Sequence, residues 1–232
     1  MQARATHSAP THILLVDDHA FTSLGARSFL ERQSDFAVVG TAGSSAEAFT
    51  ALAHHSIDVA VIDLVLGSED GLDLVKQIAG RYPSVHILVL SMHDESIYAE
   101  RALRSGALGY VMKSESPGVL IEAIRTVRTG QIHVSEAVRR QQEAGPRAHG
   151  NDPIPIDVLS DRELTVFRWL GEGLATREIA LALHISPKTV HTYRERIKGK
   201  LGLGSAAELV RHAILFARPM PGQPPFEDEG RS

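Results

Sequence analysis

The chain has 232 residues, 43% hydrophobic content, no cysteine and a formal net charge of −4. This length allows one large domain or two small ones, and the hydrophobic share is enough for each to form a core. The lack of cysteine excludes a disulfide framework and a thiolate metal site. No apolar stretch approaches the roughly 20 residues of a membrane helix, and the N-terminal segment lacks the apolar core of a secretory signal. We therefore expect a soluble, cytoplasmic protein with no membrane partner.

The net charge is divided unevenly between the two halves of the chain. Residues 11–133 contain 9 basic and 15 acidic side chains, whereas residues 157–217 contain 9 basic and 7 acidic side chains. A modest basic cluster in the second half suits contact with phosphate over a small footprint. Taken alone, it fits a solvated helix face equally well.

The first half alternates short apolar runs with amphipathic segments of helical period. The predicted strands are His12–Val16, Phe36–Val39, Ile57–Ile62, His86–Leu90 and Leu108–Met112. The predicted helices are Phe21–Gln33, Ala46–His54, Leu72–Arg81, Ser96–Ser105 and Gly118–Arg128. Five strands alternating with five helices indicate an α/β fold with a doubly wound, parallel, five-stranded sheet. In such sheets the functional site lies outside the carboxyl ends of the strands.

The second half begins after a stretch rich in glycine, proline and polar residues at 141–156, which is typical of a linker. Four helices and no strand follow, so this half is predicted to be a small all-α domain: Asp161–Leu170, Thr176–Leu183, Pro187–Leu201 and Ala206–Phe216. We place the domains at 11–133 and 157–217, with 134–156 as the linker. The proline-rich acidic tail at 218–232 is expected to be disordered. No internal repeat is present.

Polar and charged side chains follow four strands of the predicted sheet. Asp17 and Asp18 end the first strand, Asp63 the third, Ser91 the fourth and Lys113 the fifth. Three clustered carboxylates repel one another unless a cation lies among them, and hard oxygen ligands favour Mg²⁺. A carboxylate beside Mg²⁺, a lysine and a hydroxyl is equipped for phosphoryl transfer. Each residue alone fits a cap, a turn or a solvated position; the joint arrangement is what predicts a site.

The motifs LLVDDH, VAVIDL…DGLDLV, ILVLSMHD and GALGYVMKS occur in the order of a receiver domain, which residues 11–130 resemble. The resemblance implies that Asp63 is the phosphoacceptor, that Ser91 and Lys113 contact the phosphoryl group, and that Tyr110 is the switch aromatic. It also implies that Mg²⁺ is held by Asp17, Asp18, Asp63 and the Val65 backbone carbonyl. Tyr110 has an alternative interpretation as a core residue on an edge strand.

One position departs from the receiver pattern. The loop after the phosphoacceptor usually has a proline four residues on, and Gly67 stands there. Glycine makes this loop more flexible. The departure bears on the lifetime of the phosphoryl group more than on the existence of the site.

The second half has the pattern of a helix-turn-helix. Ser160 and Glu163 form a capping-box pattern, and Pro187 follows a serine cap at the start of a longer basic helix. Val190, Tyr193, Ile197 and Leu201 share one apolar stripe of that helix. The remaining positions are candidate DNA contacts, with hydroxyl, imidazole and carboxylate groups suited to base edges and Lys and Arg to phosphates: Lys188, Thr189, His191, Thr192, Arg194, Glu195, Arg196 and Lys198.

The segment from Leu159 to Gly202 resembles a LuxR-type helix-turn-helix. With the receiver pattern, residues 11–217 resemble response regulators of the NarL/FixJ class. The resemblance implies a sensor histidine kinase as phosphoryl donor, an operator DNA as target and a homodimer in the phosphorylated state. It implies no enzyme activity beyond the chain's own Mg²⁺-dependent phosphorylation and dephosphorylation. Phosphorylation is expected to pull the Ser91 loop inward and to let Tyr110 turn in behind it.

Two residues depart from the LuxR pattern. Ala175 stands where a serine or threonine usually caps the helix, so about 1 kcal/mol of capping free energy is expected to be absent, unless Thr176 takes over as cap. Glu195 occupies an exposed position where a basic residue is common. It is expected either to read a cytosine amino group or to lower DNA affinity.

The sequence also bears on two alternative functions. A phosphatase of the haloacid-dehalogenase type needs a second aspartate two residues after its nucleophile, and the adjacent pair followed by His19 fails on that spacing. A phosphorylation-independent DNA-binding regulator with a receiver-like dimerisation domain stays open because of Gly67. The 12 histidines show no metal-ligand spacing and are expected at the surface.

Overall fold

The computed structural model describes residues 9–67, 69–143, 156–183 and 185–217. The chain divides into two compact units, Met1–Arg147 and Ala148–Ser232. The division falls inside the segment predicted as the linker. The middle of that linker and the predicted disordered tail, 144–155 and 218–232, lie outside the described residues.

The first unit is built on a parallel five-stranded sheet. Its strands are β1 (Thr11–Val16), β2 (Phe36–Ala42), β3 (Val59–Ile62), β6 (His86–Ser91) and β7 (Gly109–Met112), in the order β2-β1-β3-β6-β7. β1, β3 and β6 are nearly continuous runs of buried Ile, Leu, Val and Ala, as expected for strands covered on both faces. The predicted α/β fold is confirmed.

Five helices cover the sheet: α1 (Ala20–Leu30), α2 (Ser45–His54), α3 (Gly71–Arg81), α4 (Glu95–Arg104) and α5 (Pro117–Arg128). Each begins and ends within two residues of the predicted bounds, except α1, which ends three residues earlier. Side-chain caps fix several starts, because Ser44, Asp70 and Asp94 each accept a hydrogen bond from a backbone N–H of the first turn. One core cluster joins α1 and α5 to the sheet through Leu30, Ile124 and Val127, all of them fully buried.

A two-stranded antiparallel hairpin follows β3 and was not predicted. It consists of β4 (Val65–Leu66) and β5 (Glu69–Asp70), with Val65 opposite Asp70. Its position matters, because the hairpin comprises the loop directly after Asp63.

The start of the predicted linker is part of the first unit. Helix α6 (Glu136–Glu143) contacts α4, and Val134 and Val138 are buried. The Ser135 hydroxyl donates to Glu95 Oε1 at 2.5 Å. The linker boundary at 134 is therefore too early, because these two valines are buried within the first unit.

The segment before α6 lies along the edge strand β7. The His133 N–H donates to the Leu108 carbonyl at 2.9 Å, and the Tyr110 N–H donates to the His133 carbonyl at 3.0 Å. His133 thus forms a parallel bridge with Gly109, and its backbone satisfies the Leu108 carbonyl and the Tyr110 N–H at the edge of the sheet.

The described residues of the second unit form helices and no strand. A short 3₁₀ turn at Ile156–Val158 precedes α7 (Asp161–Gly171), α8 (Thr176–Ala182), α9 (Pro187–Leu201) and α10 (Ala206–Ala217). Its core includes Phe167, Ile179, Val190 and Ile197, each at most 1% exposed. Of the apolar stripe predicted on α9, Val190, Ile197 and Leu201 are buried, and Tyr193 is half-buried. Among the described helices of the chain, none combines the length and apolar character needed to cross a bilayer.

Candidate functional site

Three aspartates meet at the carboxyl ends of β1 and β3. These strands are neighbours in the sheet, while β2 lies on the far side of β1, so the chain reverses its winding direction between them. Such a switch point opens a crevice at the strand ends. The Asp63 N–H donates to the Val16 carbonyl at 2.8 Å and the Asp17 N–H to the Ala42 carbonyl at 2.9 Å. These hydrogen bonds extend the β1–β3 and β1–β2 pairings by one residue and so fix the backbone positions of Asp63 and Asp17 at the edge of the sheet.

Lys113 links two of the carboxylates. Its Nζ lies 2.7 Å from Asp63 Oδ2 and 2.7 Å from Asp17 Oδ2. The three side chains are only 5–8% exposed. The Lys113 N–H donates to the Ser91 carbonyl at 2.8 Å, so the end of β6 positions the lysine. Residues 50 and 96 positions apart in the chain therefore form one buried ionic group.

Burial and neighbouring charges shift the protonation equilibria of this group. Burial raises the pKa of the Asp63 carboxyl, and repulsion from Asp17 adds to this effect although Lys113 opposes it. Burial alone would lower the pKa of Lys113, but the charges of Asp63 and Asp17 outweigh it and raise that pKa. The lysine is therefore held as a cation between two carboxylates.

Ser91 and Tyr110 lie in a hydrogen-bonded loop beside the aspartates. Ser91 is fully buried, and its Oγ accepts a hydrogen bond from the His93 N–H at 3.2 Å. The Tyr110 hydroxyl donates to the His93 carbonyl at 2.8 Å. Burial raises the pKa of the Tyr110 phenol, so the hydroxyl stays protonated and able to donate. Tyr110 is 1% exposed; in this structure the ring is already inside.

The loop after Asp63 is tied back to the site by its backbone. The Val65 N–H donates to Asp63 Oδ1 at 3.2 Å, and the Gly67 N–H donates to Asp18 Oδ2 at 2.8 Å. Gly67 has a φ of +56°, a left-handed conformation that proline cannot adopt. A Cβ on Gly71 would lie 2.3 Å from the Asp63 carbonyl oxygen, so only glycine allows this close approach. Gly67, the residue that departs from the receiver pattern, thus has a defined role in this loop: its N–H binds Asp18, and its positive φ sets the path of the chain.

His19 also belongs to this cluster, which sequence reasoning missed. Its Nδ1 lies 2.8 Å from Asp18 Oδ1 and 3.3 Å from Asp17 Oδ1. The His19 side chain is 42% exposed, as expected for a surface histidine, but it also lies against two of the predicted metal ligands. The sequence signal for this position is that His19 directly follows the aspartate pair.

The donor set suits a divalent cation. One potential ligand atom from each of Asp17, Asp18, His19 and Asp63 lies within 4.8 Å of the others. Asp18 Oδ1 is buried and accepts no hydrogen bond from the described residues. A buried carboxylate oxygen in that situation is costly unless a cation or a water satisfies it. The residues present therefore fit a Mg²⁺ ion.

In the second unit, α8 and α9 form the two helices of a helix-turn-helix. Ser186 caps α9 by accepting a hydrogen bond from the Thr189 N–H at 3.1 Å, and Pro187 is the first helical residue. Five of the eight predicted DNA contacts are exposed on α9: Lys188, His191, Thr192, Glu195 and Arg196. Thr189, Arg194 and Lys198 are half-buried.

Several charged groups of this unit have partners within it. Arg194 Nη1 donates to Thr176 Oγ1 at 3.0 Å and so ties α9 to α8. Lys198 Nζ lies 2.9 Å from Glu195 Oε2. Lys200 Nζ lies 2.6 Å from the buried Glu163, which completes the capping box of α7. Lys200 therefore has a structural role in the second unit.

The start of α8 differs from one expectation. Ala175 is the N-cap and has no side-chain cap bond, and Thr176 is already inside the helix with its hydroxyl engaged by Arg194. Thr176 therefore does not replace the missing cap. Glu178 compensates in part, because its Oε2 accepts from the Ala175 N–H at 2.6 Å.

Comparison with known proteins agrees with this two-part organisation. Residues 13–125 match the response regulator receiver domain, and residues 157–213 match the LuxR family of bacterial regulatory proteins. The fold and the aspartate site thus define a receiver domain joined to a LuxR-type helix-turn-helix. The chain belongs to the two-component response regulators of the NarL/FixJ class.

Individual relatives support the assignment over most of the chain. The oxygen regulatory protein NreC of Staphylococcus aureus is 35% identical over 208 residues, which cover 87% of this chain and 96% of that protein. RcsB of Salmonella enterica serovar Typhimurium, solved on the promoter rprA with a BeF₃⁻ phosphomimetic, has a TM-score of 0.57 and 27% identity, covering 88% of this chain and 98% of its own. A LuxR-family response regulator from Aurantimonas has a TM-score of 0.55 and 32% identity, covering 59% and 99%.

Proposed function

We propose that this response regulator accepts a phosphoryl group on Asp63 from a sensor histidine kinase and then binds operator DNA as a homodimer through α9. The observation that carries the proposal is the position of Lys113 Nζ, 2.7 Å from both Asp63 Oδ2 and Asp17 Oδ2. A buried lysine that neutralises the acceptor carboxylate is also within reach of the oxygens of a group transferred to it.

The transfer would use the groups of this chain in distinct roles. An Asp63 carboxylate oxygen attacks phosphorus in line, the new O–P bond forms as the N–P bond of the phosphohistidine breaks, and the imidazole takes up a proton. Lys113 stays protonated and pairs with a phosphoryl oxygen. The Ser91 hydroxyl, now an acceptor from the His93 N–H, donates to another oxygen. Asp17, Asp18, Asp63 and the Val65 carbonyl are the groups that would hold Mg²⁺, which supplies charge neutralisation at those oxygens.

The switch would begin at His93. The loop from Ser91 to Asp94 is held by two hydrogen bonds of the His93 backbone: its N–H donates to Ser91 Oγ, and its carbonyl accepts from the Tyr110 hydroxyl. A phosphoryl group that draws the Ser91 hydroxyl toward Asp63 weakens the first bond and moves the loop. Because Tyr110 is already buried, we infer that its hydroxyl changes partner rather than that its ring turns in. The face formed by α4, β7 and α5 then carries the change to the rest of the molecule.

The DNA contacts proposed for α9 divide by their exposure. Lys188 and Arg196 are exposed and suited to phosphates, and His191 and Thr192 are exposed and suited to base edges. Arg194 is engaged by Thr176 in this structure, so it would contact a phosphate only while also bracing α8. Transcription would then be regulated by how much of the operator DNA is occupied by this protein.

The test compares wild type with Asp63→Asn, each with and without beryllofluoride and Mg²⁺. Oligomeric state is measured by size-exclusion chromatography with light scattering. DNA binding is measured by selecting the duplexes that the protein binds from a random-sequence pool and sequencing them. Asp73→Asn is the matched control, because Asp73 is an exposed acid on α3 whose carboxylate lies 3.4 Å from Lys76 Nζ. We expect beryllofluoride to promote dimerisation and DNA binding in wild type and in the control. It should promote neither dimerisation nor DNA binding in Asp63→Asn.

The opposite result has a clear meaning. If wild type and Asp63→Asn bind DNA equally in every condition, the phosphorylation-independent alternative replaces the proposal, with the receiver unit acting only as a dimerisation domain. If no duplex is enriched from the pool in any condition, the DNA-binding role of α9 is wrong.

A further inference from the structure

The imidazole of His19 lies at the mouth of the aspartate cluster. Its Nδ1 is 2.8 Å from Asp18 Oδ1 and 3.3 Å from Asp17 Oδ1. The His19 side chain is 42% exposed, whereas those of Asp18 and Asp17 are 20% and 8% exposed. The ring thus stands between solvent and the buried carboxylates, where an incoming cation would meet it.

The backbone holds His19 in this position. His19 is the N-cap of α1 with extended backbone (φ −89°, ψ 98°), and its N–H donates to Asp17 Oδ1 at 2.8 Å. Its side chain makes no cap bond to α1. The imidazole is therefore not needed to start the helix.

The other oxygen of Asp18 is already occupied. Asp18 Oδ2 accepts from the Gly67 N–H at 2.8 Å, while the buried Oδ1 accepts no hydrogen bond from the described part of the chain. The Asp18 oxygen left to bind a cation is thus the one beside His19 Nδ1. A cation bound to Asp18 through Oδ1 would also be close to the imidazole.

The spacing of these atoms is that of adjacent ligands on one ion. Ligands at about 2.1 Å in an octahedral arrangement are roughly 3 Å from their neighbours. The two distances from His19 Nδ1 to the carboxylate oxygens, 2.8 and 3.3 Å, lie on either side of that spacing.

From these observations we propose that His19 is a ligand of this metal site through Nδ1 and makes the site prefer transition-metal ions such as Co²⁺ to Mg²⁺. Imidazole nitrogen binds the later first-row ions more strongly than it binds Mg²⁺, which prefers oxygen. Removal of the ring leaves three carboxylates, a donor set that suits Mg²⁺ as well as before. The inference rests on the metal site of the proposed function and adds a residue and a preference to it.

The experiment measures Mg²⁺ and Co²⁺ affinity by titration calorimetry on the full-length chain without an affinity tag. Only Co²⁺ that excess Mg²⁺ displaces is counted, which removes binding at other histidines. We expect His19→Ala to weaken Co²⁺ binding by about tenfold or more and to change Mg²⁺ binding by less than about twofold. His54→Ala, at an exposed position at the end of α2, should change neither affinity.

A second readout reports the ligand directly. When Nδ1 binds Co²⁺, the Nε2–H proton of the same ring should give a strongly shifted, solvent-exchangeable NMR resonance in wild type and in His54→Ala. The resonance should be absent in His19→Ala. Circular dichroism establishes that His19→Ala is folded.

Three results would overturn the inference. An equal loss of Mg²⁺ and Co²⁺ affinity in His19→Ala would mean that His19 acts only through its contact with Asp18, and unchanged Co²⁺ affinity would mean that it does not bind the ion. In both cases the metal site of the proposed function stands. If neither Mg²⁺ nor Co²⁺ binds wild type, and Asp17→Asn gives the same titration curves as wild type, the metal site of the proposed function is wrong as well.

Discussion

Glu195 shows how one exposed side chain can set DNA affinity. It is 70% exposed on α9, and its Oε2 lies 2.9 Å from Lys198 Nζ. A carboxylate in this position partly neutralises a lysine that could contact phosphate, and it repels phosphate itself. The contact favours the affinity-lowering interpretation of Glu195 over base reading.

We therefore expect Glu195→Ala to strengthen DNA binding on all sequences, with the dependence of log affinity on log salt steeper by about 1 as Lys198 is released. The preferred sequence should not change. Fluorescence anisotropy on an enriched duplex and on a scrambled duplex, over a salt series, makes the measurement. A loss of preference at one base pair would instead identify Glu195 as a base-reading residue.

Gly67 combines two roles that can be separated by substitution. Its φ of +56° costs a non-glycine residue about 1 kcal/mol, and its N–H is donated to Asp18 Oδ2. Gly67→Ala keeps the N–H and loses only the conformational freedom. Gly67→Pro loses both, because proline has no N–H and cannot adopt a positive φ.

In metal-free buffer we expect Gly67→Ala to lower the free energy of unfolding by about 1 kcal/mol and Gly67→Pro by about 2 kcal/mol or more. We also expect Mg²⁺ to bind more tightly to the proline variant only, because loss of the Gly67 N–H leaves Asp18 Oδ2 available to the ion in addition to Oδ1. Urea unfolding with EDTA and Mg²⁺ calorimetry provide the two values. Equal Mg²⁺ affinity in both variants would show that the Gly67–Asp18 bond does not compete with the ion.

At the scale of elements, α8 lacks a stabilising contact that its neighbours have. α7 begins with a complete capping box at Ser160 and Glu163, and α9 begins with Ser186. α8 begins at Ala175, which has no side-chain acceptor but already has the extended conformation of a cap, φ −71° and ψ 156°.

Ala175→Ser should therefore stabilise the second unit by about 1 kcal/mol, because the serine hydroxyl can accept an N–H of the first turn of α8 without a change of backbone. The measurement is the urea midpoint of that unit. Ala182→Ser, an exposed position at the other end of α8, is the control and should give no gain. No shift for Ala175→Ser would mean that the Glu178–Ala175 bond already satisfies this helix end.

The sequence predicted the elements with strong periodicity and missed those that depend on tertiary contacts. The ten helices and strands of the receiver sheet and the four helices of the second unit could be found, because apolar spacing reports which face is buried. The β4–β5 hairpin could not, since its strands have two residues each. Helix α6 lies in the segment predicted as linker because it is short and polar, and only the packing of Val138 in the folded unit reveals its role.

The aspartate site was predicted for a related reason. Asp17, Asp18, Asp63, Ser91 and Lys113 follow strands, so topology alone brings them together. The partners of these groups depend on the paths of loops. The Gly67–Asp18 bond, the His93 bonds to Ser91 and Tyr110, and the position of His19 have no periodic signal that sequence reasoning could use.

On the scale of the whole molecule, the two units carry separate spectroscopic reporters. The single tryptophan of the chain, Trp169, lies on α7 in the second unit, while the metal site lies entirely in the first. Tryptophan fluorescence therefore follows only the DNA-binding unit, and far-ultraviolet circular dichroism follows both.

Mg²⁺ at 100 times its dissociation constant should stabilise the first unit by about 2.7 kcal/mol. We expect this shift in the urea transition seen by circular dichroism and no shift in the Trp169 transition. EDTA should abolish it, and Asp17→Asn should weaken it. A Mg²⁺-dependent Trp169 transition would show instead that unfolding of the two units is coupled.

The segment at His133 has a practical consequence for work on the isolated receiver. It satisfies the Tyr110 N–H and the Leu108 carbonyl on the outer side of β7. A fragment cut at residue 130 would expose these groups, and an uncovered edge strand is a template for pairing with strands of other molecules. Such a fragment should aggregate through intermolecular β-pairing, whereas one ending at Glu143 keeps its edge covered and should remain dispersed.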